Sequence, residues 1–215
     1  VGAGGVAAEV ERGATAGADA IVIDSMVAGP GASAGVLLDH SGVPTVPAIV
    51  MAREALRELG LYGEVSLIAS GGIRHGADAA KALALGADAI AIGHSSLMAL
   101  NCNKNIPEAD FENEIGVEAG FCYHCHTGRC PVGVATQDPE LRKRLNPDDA
   151  AERVYNFLHT LTIECQMLAR ACGKTNIHSL EPEDLAALTM EASALAQVPL
   201  AGSQHTVGRP DMTRF

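Results

Sequence analysis

The stretch CYHCHTGRCPVG, residues 122–133, concentrates side chains that bind metals. Its cysteines are spaced Cys122-x2-Cys125-x4-Cys130, and Pro131 follows the last of them. Three cysteines cannot all pair as disulfides, so the arrangement favours metal ligands. Closely spaced thiolates on one loop suit an iron–sulfur cluster, where proline often follows a ligand. Three thiolates would hold a 3Fe–4S cluster, and a fourth, for which Cys102 is the nearby candidate, would allow a 4Fe–4S cluster.

Zinc is the alternative occupant of this cysteine loop. A zinc site needs four ligands, usually supplied as two separated pairs. His124 or His126 could complete such a set, but both are immediate neighbours of Cys125 and are poorly placed for tetrahedral closure. The spacing therefore favours iron–sulfur over zinc. Cys165 and Cys172 lie a heptad apart on the apolar face of a predicted helix, where we expect core packing rather than ligation.

Glycine-rich loops form the second group of residues suited to chemistry. Gly71 and Gly72 follow one apolar run, and Gly93, His94 and Ser95 follow the next. Glycine lets the backbone approach a ligand and present its N–H groups, so these two loops predict a phosphate site. Ordinary tight turns are the alternative. The loop SMVAGPGASAG, which contains Gly29 and Gly31, could place a flat ring or a polar ligand against the backbone.

Alternating apolar runs and helical patterns must position these loops. Such alternation is typical of βα units around a parallel sheet. Because the glycines follow the strands, we predict an α/β fold formed by the C-terminal part of a (β/α)8 TIM barrel, rather than an open doubly wound sheet. The predicted strands lie within 17–23, 65–69 and 86–92, and the predicted helices are 6–15, 49–59 and 77–85.

The pattern changes after the third predicted strand. We expect βα units over residues 1–100, an insert with the cysteine loop over 101–135, a helical extension over 136–200 and a tail over 201–215. Within the extension, TQDPELRKRL and DDAAERVYNFLHTLTIECQMLARACG are predicted helices. The segment HSLEPEDLAALTMEASALAQ is predicted to form one further helix.

Composition excludes several classes of function. A formal net charge of −11 argues against a nucleic-acid partner. Apolar runs are too short for a membrane span, and the first residues do not resemble a signal peptide. Six cysteines in such a chain indicate thiols or metal ligands in a reducing compartment, so we expect a cytoplasmic protein.

Two segments carry a family resemblance. SGGIRHGADAAKALALGADAIAIG and CHTGRCPVGVATQDPELRKRL resemble the FMN-binding synthase domain of the glutamate synthase family. The resemblance implies an FMN-bearing barrel, a 3Fe–4S cluster beside the flavin, and an oxidoreductase that acts on CH–NH2 donors. It also implies reductive amination of 2-oxoglutarate to glutamate in nitrogen metabolism, with electrons reaching the flavin through the cluster.

The resemblance also implies roles for individual residues. Gly71, Gly72, Gly93 and His94, with Ser95 beside them, would hold the FMN phosphate. Gly29 and Gly31 would lie near the flavin or the substrate. Cys125 and Cys130 match the last two cluster cysteines of the family. The third ligand is Cys122 or Cys102, because Ala119 occupies the position where the family usually has its first cysteine. Catalytic residues remain unassigned.

Finer aspects of the resemblance concern the subfamily and the partners. The insert and the segment ERVYNFLHTLTIECQMLARACGK resemble the large subunit of N-methylglutamate synthase, in which methylamine replaces ammonia. The expected partners are 2-oxoglutarate, an amine donor, a glutaminase or amidotransferase subunit, and an electron-donor subunit or ferredoxin, in an oligomer. Another FMN barrel oxidoreductase and a non-catalytic zinc-binding scaffold are the alternatives. Three strands are too few for a barrel, so we expect a C-terminal piece of a longer polypeptide.

Overall fold

Helices and strands alternate through the first half of the chain. The structure, a computed structural model, describes residues 5–26, 36, 40–102, 104, 106, 109 and 124–209. The prediction of βα units is confirmed, and helix α1 begins and ends at the predicted residues. The elements are α1 (Val6–Thr15), β1 (Ala20–Asp24), α2 (Thr45–Glu58), β2 (Ser66–Ser70), α3 (Gly76–Ala84), β3 (Ala89–Ala91), α4 (His94–Ala99), α5 (Pro139–Arg142), α6 (Pro147–Ala171) and α7 (Met190–Ala196), with 3₁₀ turns at Ile177–Ser179 and Pro182–Asp184.

The three strands form one parallel sheet in the order β1-β2-β3. Ala20 pairs with Ser66 at the start of β1, and Ile68 pairs with Ala89 where β3 begins. The carboxylate of Asp88 accepts a hydrogen bond of 2.7 Å from the backbone N–H of Leu67, which fixes the entry into β3. Because the strands are parallel, their carboxyl ends meet at one edge of the sheet.

The two faces of this sheet differ in burial. Ile23, Leu67 and Ala69 are buried on the face covered by α1, α2 and α3. Val22, which points to the opposite face, is 50% exposed. Parallel sheets are normally covered on both faces, so the part of the chain that the structure describes leaves one face open. The mixed α/β fold with its small parallel sheet is therefore compatible with part of a barrel.

Helix α6 packs closely against the start of α3. A β-carbon on Gly76 would lie 2.3 Å from Glu164 Cβ and 2.5 Å from the carbonyl oxygen of Leu161. The Gly76 N–H donates a hydrogen bond of 2.7 Å to the Glu164 carboxylate. Leu161 and Cys165 are buried in this contact, so the predicted core position of Cys165 is confirmed. The prediction for Cys172 is wrong, because this residue follows the last turn of α6 and is exposed.

The predicted single helix from His178 to Gln197 is wrong. The segment forms two 3₁₀ turns and then α7, which begins only at Met190. Pro182 is restricted to the first turn of a helix, and Leu185 and Ala187 lie in extended backbone, where Ala187 pairs with Leu200. Thr189 caps α7 by accepting a hydrogen bond from the N–H of Ala192.

Part of the predicted tail also contacts the fold. The backbone N–H of Val207 donates to the buried Ser193 hydroxyl at 3.0 Å, and Arg209 donates to the Gln197 side chain at 2.8 Å. These bonds hold residues 201–209 against α7. Among the residues that the structure describes, no helix combines the length and the hydrophobicity needed to span a membrane.

Candidate functional site

A cavity of about 200 Å³ lies at the carboxyl edge of the sheet, beyond the ends of β2 and β3. Its walls contain Gly71, Gly72, Gly93, His94 and Ser95. These five residues are the predicted phosphate-binding residues, and the structure brings all of them to one cavity. Parallel strands place their following loops together in this way, which is why ligands of α/β sheets bind at the carboxyl edge.

Two of these glycines are required by the backbone. Gly71 and Gly72 have φ angles of 117° and 71°, in the left-handed region that favours glycine. A phosphate in the cavity would therefore meet backbone atoms that no β-carbon shields.

Gly93 differs from these two glycines in its backbone conformation. Its φ angle of −103° is not in the left-handed region, and its ψ angle of −87° is more negative than in a right-handed helix. A β-carbon at this position would have no heavy atom within 4 Å, so packing does not require glycine. The absent side chain leaves room beside the cavity, and that room suits a bound ligand.

Hydrogen bonds hold the two glycine loops together. The Ser95 hydroxyl donates to the carbonyl oxygen of Ile73 at 2.9 Å, which joins the loop after β3 to the loop after β2. The Thr45 hydroxyl donates to the carbonyl of Gly71 at 2.9 Å, and the buried Ser25 hydroxyl donates to the carbonyl of Ser70 at 2.8 Å. Sequence reasoning missed Ser25 and Thr45. The sequence signals for them were weak: the Ser25 hydroxyl comes directly after a strand, and the Thr45 hydroxyl comes at the start of a helix.

Arg74 is a further wall residue that sequence reasoning missed. Its guanidinium lies 3.9 Å from the Asp78 carboxylate, and its side chain is 77% exposed. Such a weak ion pair leaves the positive charge available to an anion in the cavity. An arginine two residues beyond a double glycine was the sequence signal.

The cysteine loop lies in a separate turn, which local hydrogen bonds hold in place. The N–H of Thr127 donates to the carbonyl of His124 at 3.1 Å, and the N–H of Gly133 donates to the carbonyl of Cys130 at 3.2 Å. Cys125 is exposed, whereas Cys130 is buried and next to the fully buried Pro131. One thiol therefore faces solvent and the other faces the interior.

The ligand set of a cluster is not assembled among the described residues. Within them, no group of three or more His, Cys, Asp or Glu side chains could hold a metal ion. Cys122 lies outside the described residues, as do Gly29 and Gly31. Cys102 is half-buried just after α4, and its N–H donates to the carbonyl of Leu97 at 3.1 Å. The choice between Cys102 and Cys122 as third ligand thus stays a prediction.

Cys165 is buried, unlike the exposed Cys125 of the loop. Burial against α3 raises the pKa of its thiol, because the interior penalises the charged thiolate. A protonated thiol is a poor metal ligand and a poor nucleophile. This residue therefore serves packing.

Comparison with known proteins shows extensive similarity. A sequence family described as a conserved region in glutamate synthase matches residues 1–107 and 112–175. A glutamate synthase large subunit-like protein of Rhizobium meliloti is 50% identical over 194 residues, which cover 90% of this chain and 44% of that protein. An archaeal glutamate synthase [NADPH] of Methanocaldococcus jannaschii is 45% identical over 167 residues, covering 78% of this chain and 29% of that protein. The chain thus spans less than half the length of these relatives.

Proposed function

Because this chain belongs to the glutamate synthase family, we propose that it is the cofactor-binding part of an oxidoreductase that reductively aminates 2-oxoglutarate to glutamate. The relative from Methanocaldococcus jannaschii carries the name of an NADPH glutamate synthase. The observation that carries the proposal is the cavity at the carboxyl edge, where five predicted residues from two loops meet.

Three features of the cavity support the phosphate of FMN as its ligand. Gly71 and Gly72 expose backbone to the cavity, Gly93 leaves open space beside it, and Arg74 contributes a positive charge. These features match the way barrel enzymes bind phosphate at the last strands. When bound, FMN would supply the hydride chemistry that side chains lack, and the protein would supply position and electrostatics. Ser95 would keep the two loops at a fixed separation.

The open face of the sheet supports a barrel in the longer protein. Val22 is half exposed on this face, and the chain spans only 44% of its relative from Rhizobium meliloti. We propose that further strands of the polypeptide cover this face and close a (β/α)8 barrel. Those strands would also contribute the groups that bind 2-oxoglutarate.

The cysteine loop is proposed to hold an iron–sulfur cluster. Cys125 and Cys130 supply two thiols from one ordered turn, and the third comes from Cys122 or Cys102. Cys165 lies in the packing contact between α6 and α3, outside the cysteine loop, and is not part of the proposed ligand set. An electron-donor subunit or ferredoxin would approach the exposed side of this turn, and a glutaminase or amidotransferase subunit would supply ammonia.

The experiment is anaerobic purification of the full-length protein, followed by flavin absorbance and iron analysis. We expect one FMN per chain and bound iron. Gly93→Leu should lose FMN, because its side chain would fill the open space, whereas the helical control Gly13→Ala should retain it. A wild-type protein that contains zinc but neither flavin nor iron would support the scaffold alternative and contradict the proposal.

The amine donor defines a finer form of the proposal. Initial rates with 2-oxoglutarate should be compared for ammonia, glutamine and methylamine in the complete complex. Preference for methylamine would identify the N-methylglutamate synthase branch. Preference for ammonia or glutamine would identify a glutamate synthase.

A further inference from the structure

A second cavity, of about 500 Å³, lies at the opposite, amino edge of the sheet. Gly86 and Tyr62, in its wall, precede β3 and β2 respectively, whereas the glycine loops follow these strands. The volume is typical of sites for small ligands. The proposed function uses none of the residues that line it.

Three arginines line this second cavity, and local contacts orient each of them. Arg53 is buried, donates a 2.8 Å hydrogen bond to the carbonyl of Leu85, and donates to the carboxylate of Glu54 through Nε and Nη2. Arg57 shares the Glu54 carboxylate at 3.3 Å, and its guanidinium lies 4.9 Å from the centre of the Tyr62 ring. One carboxylate thus serves two guanidiniums.

Arg209 approaches the same cavity from another segment. Its Nε donates to the side-chain oxygen of Gln197 at 2.8 Å, so this contact orients the guanidinium without neutralising it. Gln197 is itself held by a 2.6 Å hydrogen bond from its amide to the carbonyl of Ala194. A guanidinium fork held in place suits a carboxylate, which accepts two parallel hydrogen bonds.

Two carboxylates in the wall of this cavity come from a third segment. Glu181 and Glu183 belong to the 3₁₀ region, and both lie in the wall. Glu181 is engaged by Lys174 at 2.5 Å, a contact that raises the pKa of the lysine. Glu183 forms no ion pair or side-chain hydrogen bond within the described part of the chain. It therefore presents a negative charge to a cavity that also contains Arg209.

Positive and negative groups thus come from different elements around one cavity. A simple anion would pair with the arginines but would be repelled by the carboxylate of Glu183. A ligand with a carboxylate and an ammonium group satisfies both, and the presence of several arginines favours a second carboxylate. From this arrangement we propose that the amino-edge cavity binds a free acidic α-amino acid, with Arg57 and Arg209 holding its carboxylates and Glu183 its ammonium group. This proposal does not depend on flavin binding at the carboxyl edge.

Calorimetric titration of the full-length protein tests this proposal, with L-glutamate and glutarate as probes. Glutarate lacks only the amino group. We expect saturable binding of both, with glutamate preferred by about tenfold, the effect of one charge-assisted hydrogen bond. Arg57→Gln and Arg209→Gln should each weaken both ligands by about tenfold or more. Glu183→Gln should weaken glutamate alone and abolish the preference.

Matched controls make the test decisive. Arg12→Gln removes an exposed arginine of α1 and should leave both affinities unchanged. Arg57, Arg209 and Glu183 are surface-accessible, so their variants are expected to fold, and thermal denaturation checks this. Glutamate binding that is unchanged in all three variants would assign it to another site and overturn the proposal. Equal affinity of the wild type for glutamate and glutarate, or no saturable binding, would also overturn it.

Discussion

The two cavities at opposite edges of the same sheet are built in different ways. At the carboxyl edge, the wall includes the backbone of Gly71, Gly72 and Gly93, with Arg74 as its cation. At the amino edge, the wall includes charged side chains from separate segments. A backbone site depends on where the chain runs, whereas a side-chain site depends on which residues the fold brings together. The two sites should therefore respond differently to substitution.

The largest effect is expected at Gly76, the first residue of α3, which follows the Gly71–Gly72 loop. Gly76→Ala places a β-carbon 2.3 Å from Glu164 Cβ and 2.5 Å from a backbone carbonyl, so α3 and α6 must separate. We expect a loss of about 3 kcal/mol in the free energy of unfolding, measured by denaturant titration. Gly13→Ala is the control, since its β-carbon would make an ordinary 3.4 Å contact with Ile21. Equal stability of the two variants would contradict the packing argument.

A smaller effect is expected at Gly133, in the cysteine loop. Its φ angle is +82°, and a β-carbon would lie 2.5 Å from the carbonyl oxygen of Leu141. Gly133→Ala should lower the iron content of the purified protein, because the clash would displace the cysteine turn. FMN should stay bound, because this turn is separate from the cavity at the carboxyl edge. Gly128→Ala is the matched control: its φ is also positive, but a β-carbon there meets nothing within 4 Å. If Gly133→Ala lost FMN but kept its iron, the assignment of the loop would be wrong.

Gly86→Ala should disturb the wall of the amino-edge cavity. A β-carbon there would lie 2.6 Å from Arg53 Cδ, and the φ angle of Gly86 is +116°. The arginine can shift where a backbone carbonyl cannot, so we expect a destabilisation of about 2 kcal/mol. Glutamate affinity should fall while flavin content stays unchanged, as measured by calorimetry and absorbance. Loss of flavin together with glutamate binding would show that the two edges are coupled.

Thiol labelling compares Cys165 with Cys172. The pKa of the Cys165 thiol is raised by burial, so its thiolate is scarce at neutral pH, and access is blocked as well. Cys172 is exposed at the end of the same helix. With iodoacetamide and mass spectrometry, we expect Cys172 to react at least about tenfold faster. If Cys165 and Cys172 reacted at comparable rates in the native protein, with no denaturant present, the packing of α6 on α3 would be contradicted.

The smallest effect concerns Asp138, which caps α5 after the cysteine loop. Hydrogen bonds from the N–H groups of Leu141 and Glu140 lower the pKa of this carboxyl. The ionised form is therefore favoured by folding, and its stabilisation is present above the ordinary pKa and is lost as pH falls through the lowered value. Asp138→Asn should lack this pH dependence. In thermal denaturation from pH 6 to pH 3, the melting temperatures of the wild type and the variant should therefore converge as the pH falls. A constant difference across this range would exclude the carboxylate as the cause.

Much of the carboxyl edge could be predicted from local patterns. Apolar runs followed by glycines indicated both the strands and the loops, because a parallel sheet puts such loops at one edge. Ser25, Thr45 and Arg74 could not be found in this way, since their roles depend on neighbours brought close by folding. The prediction for the region around α7 was wrong for a related reason. Its apolar spacing suggested one helix, but Pro182 and the pairing of Ala187 with Leu200 prevent a continuous helix.

What the sequence determined by itself is therefore local: the strands, the helices α1 to α3, the glycine loops and the cysteine spacing. These features depend on residues that are near one another in the chain, where periodicity and backbone preference act directly. Only the tertiary structure decided that Cys165 is buried while Cys172 is exposed, and that Arg57, Glu183 and Arg209 share one cavity. Contacts between residues distant in sequence follow from packing, and no local pattern records them.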